Sequence, residues 1–114
     1  MPNPVIHFEI TGQDGAALQQ FYRDAFGWSV DADNPMEYGM VDAAGRGIAG
    51  GVSGDSDGHH VRVYIEVADL AATLAEVGRR GGKTVMEPTE IPGFVTMAQF
   101  ADPAGNVIGL VKAQ

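Results

Sequence analysis

Cysteine is absent from the 114 residues, so the chain has no thiol nucleophile, no thiolate metal ligand and no disulfide. Basic residues are also scarce. Seven Lys and Arg stand against fifteen Asp and Glu, a formal net charge of −8, and such a surface repels a phosphate backbone. Nucleic acid is therefore not expected as a partner. The same charge keeps the chain soluble and attracts small cations. No apolar run approaches the ~20 residues of a membrane span, and the opening "MPNPVIHFEI" has neither a basic region nor a long apolar stretch. These absences predict a soluble, cytoplasmic protein with no membrane partner. The glycine-rich "GRGIAGGV" (45–52) does not open a helix after a strand, so it is not a phosphate-cradling loop.

The hydrophobic fraction is 45% in a chain of 12.0 kDa. Area scaling leaves roughly 6,000 Å² exposed of roughly 17,000 Å² in the unfolded chain. That burial sustains a core without a metal or disulfide staple. A single domain over 1–114 is predicted.

The chain also repeats itself. A shift of 55 residues aligns Ile10 with Ile65, Asp14 with Asp69, Ala16-Ala17 with Ala71-Ala72, Gly27 with Gly82 and Val30 with Val85; a shift of 60 aligns "DAAGRGI" (42–48) with "DPAGNVI" (102–108). Two modules, about 1–53 and 60–114, meet near the polar "SGDSDGHH" (53–60). Each opens with a β-branched strand, "VIHFEIT" (5–11) or "VRVYIEV" (61–67). A helix follows, with Asp14 or Asp69 as N-cap and Gly27 or Gly81-Gly82 as the stop. Three short strands close each module: 28–31, 37–41 and 47–52, then 83–87, 94–100 and 106–111. The turns "DAAGR" (42–46) and "DPAGN" (102–106) fit hairpins between the last two strands of each module. The unit is βαβββ, twice.

With "FYRDAFGW" (21–28) as a first-helix ending, "IEVADL" (65–70) as a second-module opening and "DPAGNVIGL" (102–110) as a final hairpin, the chain resembles the vicinal oxygen chelate superfamily. That superfamily includes glyoxalase I, extradiol dioxygenases and the fosfomycin- and bleomycin-resistance proteins. The resemblance implies an α+β fold, the glyoxalase/bleomycin-resistance fold, in which two βαβββ modules form a curved mixed sheet around a cleft. It also implies a homodimer, and a divalent metal in the enzymatic branches. Carried over by position, the metal-ligand places fall on His7, Ala49, Arg62 and Gly109. Only His7 is a ligand type there, whereas a catalytic divalent site takes about three protein ligands. Arg62 adds a permanent positive charge. No metal and no other cofactor are expected, although His7, Glu9 and His60 remain open as a two-His, one-carboxylate set.

Strand alternation puts His7 with Glu9 on one face, and Arg62, Tyr64 and Glu66 on another. With Trp28, Tyr38, Phe94, Ala49 and Gly109 these residues make a candidate lining for a small-molecule pocket. The structural alternative is that Arg62 pairs with Glu9 or Glu66 and that Trp28 packs the helix. The function expected is binding of a small molecule, cationic or aromatic, without the usual divalent metal. The alternative is a glyoxalase I- or dioxygenase-type enzyme acting on a small metabolite through an irregular metal site. Which ligand it takes, and whether a reaction follows, stays open in the sequence.

Overall fold

A computed structural model of the chain describes residues 2–114. The chain divides into two compact units, one spanning His7–Arg62 and the other formed by the residues up to Ile6 together with Val63–Gln114. The ten elements run β1 (Val5–Gly12), α1 (Gly15–Phe26), β2 (Val30–Asp31), β3 (Gly39–Val41), β4 (Ala49–Gly54), β5 (His60–Val67), α2 (Leu70–Arg79), β6 (Lys83–Ile91), β7 (Val95–Ala101) and β8 (Val107–Lys112). This is the α+β class with the βαβββ unit written twice. The units trade short ends relative to the sequence modules: the residues up to Ile6 belong with the second half, and the first residues of β5 with the first.

In the His7–Arg62 unit the strands lie in the order β2-β3-β4-β1, with β1 and β4 parallel and the other pairs antiparallel. The other unit repeats this as β5-β8-β7-β6, with β5 parallel to β8. Both helices start where an aspartate permits it. Asp14 accepts from the Ala17 N–H and Asp69 from the Ala72 N–H, each at 3.0 Å, answering one of the donors a helix start leaves orphaned. α1 ends at Gly27, whose φ of 69° lies in the left-handed region that glycine enters freely.

Each helix closes its own core. In the first unit Val30, Val41 and Val52 are buried, with Phe8, Ile10, Leu18, Tyr22 and Trp28 packed against them. In the second, Val67, Leu70, Leu74, Ala98 and Leu110 do the same with Ile65 and Phe100. Full burial of each large aliphatic contributes roughly 1.5–3 kcal/mol.

Some expectations shift. β2 is two residues rather than 28–31, because Trp28 leaves the strand line and stacks on Tyr22 with ring centroids 4.8 Å apart. β6 runs on to Ile91, past the expected end at 87, with irregular register between Thr84 and Met86 and between Met86 and Thr89. The 60-residue correspondence also holds only through the turns. His7 pairs with Ala49 and Glu9 with Gly51, whereas Tyr64 pairs with Gly109. Since position 9 corresponds to 64, Gly51 rather than Ala49 is the counterpart of Gly109. The cause is the connection 42–48, two residues longer than 102–106.

Candidate functional site

β1 alternates, and the alternation separates core from site. Phe8 and Ile10 turn to the α1 side and join the core. His7, Glu9 and Thr11 take the opposite face, where Tyr38 and His60 meet them. Tyr38 comes from the end of the loop between β2 and β3, and Asn34 fixes its backbone from both directions. The Tyr38 N–H donates to Asn34 Oδ1 at 3.0 Å and Asn34 Nδ2 donates to the Tyr38 carbonyl at 2.7 Å.

The Tyr38 ring lies across Gly51. A Cβ on Gly51 would stand 1.9 Å from the Tyr38 Cζ and hydroxyl oxygen, and one on Gly50 2.3 Å from the Phe8 ring. Consecutive glycines of β4 thus seat one ring on each face of the strand. In the other unit Gly109 seats Tyr64, whose ring would be 2.2 Å from an added Cβ. The glycine-rich stretch therefore accommodates the chain's own aromatic rings. Tyr64 is itself buried, at 5% exposure.

Around Tyr38 runs a continuous hydrogen-bonded relay. The Tyr38 hydroxyl donates to Glu9 Oε2 at 3.1 Å and stands 2.8 Å from His7 Nε2. An ionised carboxylate only accepts, so the phenolic proton points to Glu9 and His7 Nε2–H donates to the phenol oxygen. Glu9 Oε1 accepts from His60 Nε2 at 2.7 Å. His60 Nδ1 then faces the Thr11 hydroxyl at 3.1 Å, and Thr11 Oγ1 accepts from the His60 main-chain N–H at 3.1 Å. Asp55 Oδ2 lies 3.4 Å from the same Nδ1. Glu9 is thus the common acceptor of two arms, one ending at His7 and one at His60. Burial pushes the His7 imidazole below its ordinary value, and the Glu9 charge opposes that shift.

Of the residues singled out in the sequence, the structure brings His7, Glu9, Tyr38 and His60 together. Ala49 lies beside His7 as its strand partner and is exposed. Arg62, near the end of this unit on β5, is half-buried. Trp28 is not part of this set: it packs among Tyr22, Phe8 and Phe26 on the α1 side, because the even positions of β1 face that way. Tyr64, Glu66, Phe94 and Gly109 belong to the other unit, where Glu66 takes the Pro4 carbonyl through its main-chain N–H at 2.9 Å and Phe94 is 37% exposed. Sequence reasoning missed Thr11, Asn34, Asp55 and the seat at Gly51.

The resembled superfamily's divalent metal can be tested against these donors. Both Glu9 oxygens are taken by Tyr38 and His60, and His7 Nε2 is directed at a phenol. The ligand places at 49 and 109 carry no donor, and the space beside Gly109 belongs to Tyr64. Among the described residues no group of three or more His, Asp or Glu side chains is placed to hold a metal ion. The residues present do not fit a three-ligand centre.

Comparison with known proteins identifies the family. The family model described as Glyoxalase/Bleomycin resistance protein/Dioxygenase superfamily matches residues 5–110. The chain belongs to this superfamily. A relative in Streptomyces peucetius, the anthracycline biosynthesis protein DnrV, is 28% identical over 123 residues, covering 91% of this chain and 45% of its own length. The anthracycline biosynthesis protein DauV of Streptomyces sp. (strain C5) matches to the same extent. The chain therefore spans about half the length of the curated relatives it matches. The methylmalonyl-CoA epimerase of Mycobacterium tuberculosis superposes with a TM-score of 0.72 at 17% identity, over 96% of this chain and 87% of that one. A superfamily member from Vibrio splendidus 12B01 gives 0.68 at 18%, over 98% and 100%. At these identities the two structures establish the glyoxalase/bleomycin-resistance fold and nothing finer.

Proposed function

We propose that this superfamily member binds a small organic molecule at the His7–Tyr38–Glu9–His60 face, without the divalent metal of the enzymatic branches. The observation that carries the reading is the relay itself. A phenol held between an imidazole and a carboxylate presents its oxygen to a ligand as an acceptor of fixed orientation, and it occupies the groups a metal would need. The relationship to anthracycline biosynthesis proteins supports a polycyclic aromatic or phenolic ligand, whose hydroxyl groups suit such an acceptor. The protein acts as a cytoplasmic homodimer.

A second reading is favoured by one observation, the depressed basicity of His7. An imidazole neutral at physiological pH and coupled through Tyr38 to Glu9 is suited to accept a proton from an acidic C–H or O–H group. In that reading His7 takes the proton and Tyr38 steadies its Nε2–H, with no step through a metal.

A single preparation separates the possibilities. Protein purified without added metal is measured for zinc, nickel, iron and manganese, then titrated calorimetrically with hydroxyanthraquinones. Saturable binding in metal-free protein, weakened roughly tenfold by Tyr38→Phe, is the expected result, since one hydrogen bond to a polar partner is worth about 1–1.5 kcal/mol. One metal ion per chain retained after dialysis, or binding unchanged by Tyr38→Phe, overturns the proposal.

A further inference from the structure

Gln19 is the one amide of α1 that is buried, at 5% exposure. Its Nε2 donates to the Glu37 carbonyl at 3.1 Å and to the Val52 carbonyl at 2.8 Å. Both partners are acceptors, so the nitrogen end of the amide is fixed and its two protons are used. Oε1 is left with no hydrogen-bond partner among the described residues, yet it is not sealed from solvent.

Gln19 lines an open depression of about 710 Å³ lying wholly within the His7–Arg62 unit, and none of the relay residues lines it. Its other polar side chains include Asp14, Glu37 and Ser53, with Ala32 and Met36 as apolar wall; no Lys or Arg lines it. Asp14 spends Oδ1 on the Ala17 N–H. The partial positive charge of the α1 N-terminus is therefore already met by a full negative one. A second acidic residue, Glu37, also lines the depression, and the chain as a whole carries −8. An anion would meet two like charges with no cation to hold it, and an apolar molecule would leave the Gln19 oxygen unanswered.

We propose that this depression is a second binding site, and that it takes the protonated amino group of a small organic amine. One N–H donates to Gln19 Oε1, the positive charge sits between Asp14 and Glu37, and the short carbon chain lies against Ala32 and Met36. The site is separate from the relay and stands or falls independently of the ligand assigned there.

The test is a titration of ¹⁵N-labelled protein with ethylammonium chloride, tetramethylammonium chloride and sodium chloride at equal ionic strength. The signals followed are the Gln19 side-chain amide and the main-chain amides of Ser53 and Gly54. The expected result is a saturable shift of these signals in the millimolar range with ethylammonium only, because tetramethylammonium carries the charge without an N–H to donate. Glu37→Gln raises the half-saturation point roughly threefold, in line with a partly exposed ion pair. Gln19→Met abolishes the saturable shift of the main-chain amides. Where that variant does not fold, Asp14→Asn keeps the helix cap, removes a charge and is expected to match Glu37→Gln. Equal shifts with all three salts would show screening of an acidic surface and overturn the proposal. So would shifts that do not saturate, or half-saturation unchanged in Glu37→Gln and Asp14→Asn.

Discussion

Gly51 has no room for a methyl group while Tyr38 keeps its place, since an added Cβ falls 1.9 Å from the ring. Gly51→Ala is therefore expected to push the phenol off the relay and to destabilise the protein by about 1–3 kcal/mol, the usual cost of overpacking. In the double variant Tyr38→Ala/Gly51→Ala the second change costs much less, and the coupling read from urea unfolding of the four proteins checks the contact. At His7 the prediction concerns pH. Its folded pKa is depressed from 6.5, chiefly by burial. Above 6.5 the imidazole is neutral in both states and its contribution is fully present. As pH falls below 6.5 the unfolded chain binds the proton more readily, and stability declines until the depressed folded value is passed. Melting curves between pH 7.5 and 5 should show this decline in the native protein, and His7→Gln should flatten it. Equal slopes would remove the burial argument. That His7 and Glu9 share a strand face was legible from alternation, whereas Tyr38 was read only as an aromatic of the lining. Asn34 and Gly51 were not legible, because their roles depend on how a loop lies over a neighbouring strand.

The helices are where local sequence and structure agree most closely. Asp14 and Asp69 stand 55 residues apart and each caps through Oδ1 at 3.0 Å, a short-range interaction that the residues around it specify. Asp14→Ala and Asp69→Ala should each cost about 1 kcal/mol, with Asn in either place nearly neutral, measured by chemical denaturation. A loss that Asn does not rescue would point to charge rather than capping. The strands were less legible at their ends. β6 overruns its expected limit through two irregular registers, and the pairing of Gly51 and Gly109 follows from a two-residue difference between connections. Register depends on the length of a turn and on what packs beyond it, and no window of residues within the strand carries that information. The βαβββ order itself was readable, since a helix with its cap and stop recurs between apolar strands.

At the scale of the molecule, the question is how the chain covers its remaining apolar surface. Exposed sheet edges are a natural motive for association, but in each unit the edge strand farthest from its first strand is blunted. β2 is two residues long, and β6 carries Pro88, irregular register and the charged Lys83, Glu87 and Glu90. The exposed side chains supply a stronger motive. Val61 is 75% exposed, Phe26 63% and Phe21 56%, and burying such side chains against a second copy would remove apolar area from water. We therefore expect the homodimer to form through side-chain burial rather than through a continued sheet. At micromolar concentration sedimentation should give twice the 12.0 kDa chain mass. Val61→Glu and Phe26→Lys should shift the equilibrium to monomer, because each puts a charge where an interface core excludes one. An exposed residue changed to a charged one ordinarily moves monomer stability by less than about 0.5 kcal/mol, so unchanged circular dichroism would accompany the loss of mass in Val61→Glu, whereas Phe26→Lys also removes ring contacts with Tyr22 and Trp28. A species of 12.0 kDa alone at that concentration would refute the dimer. A dimer indifferent to both substitutions would place its interface on another part of the surface.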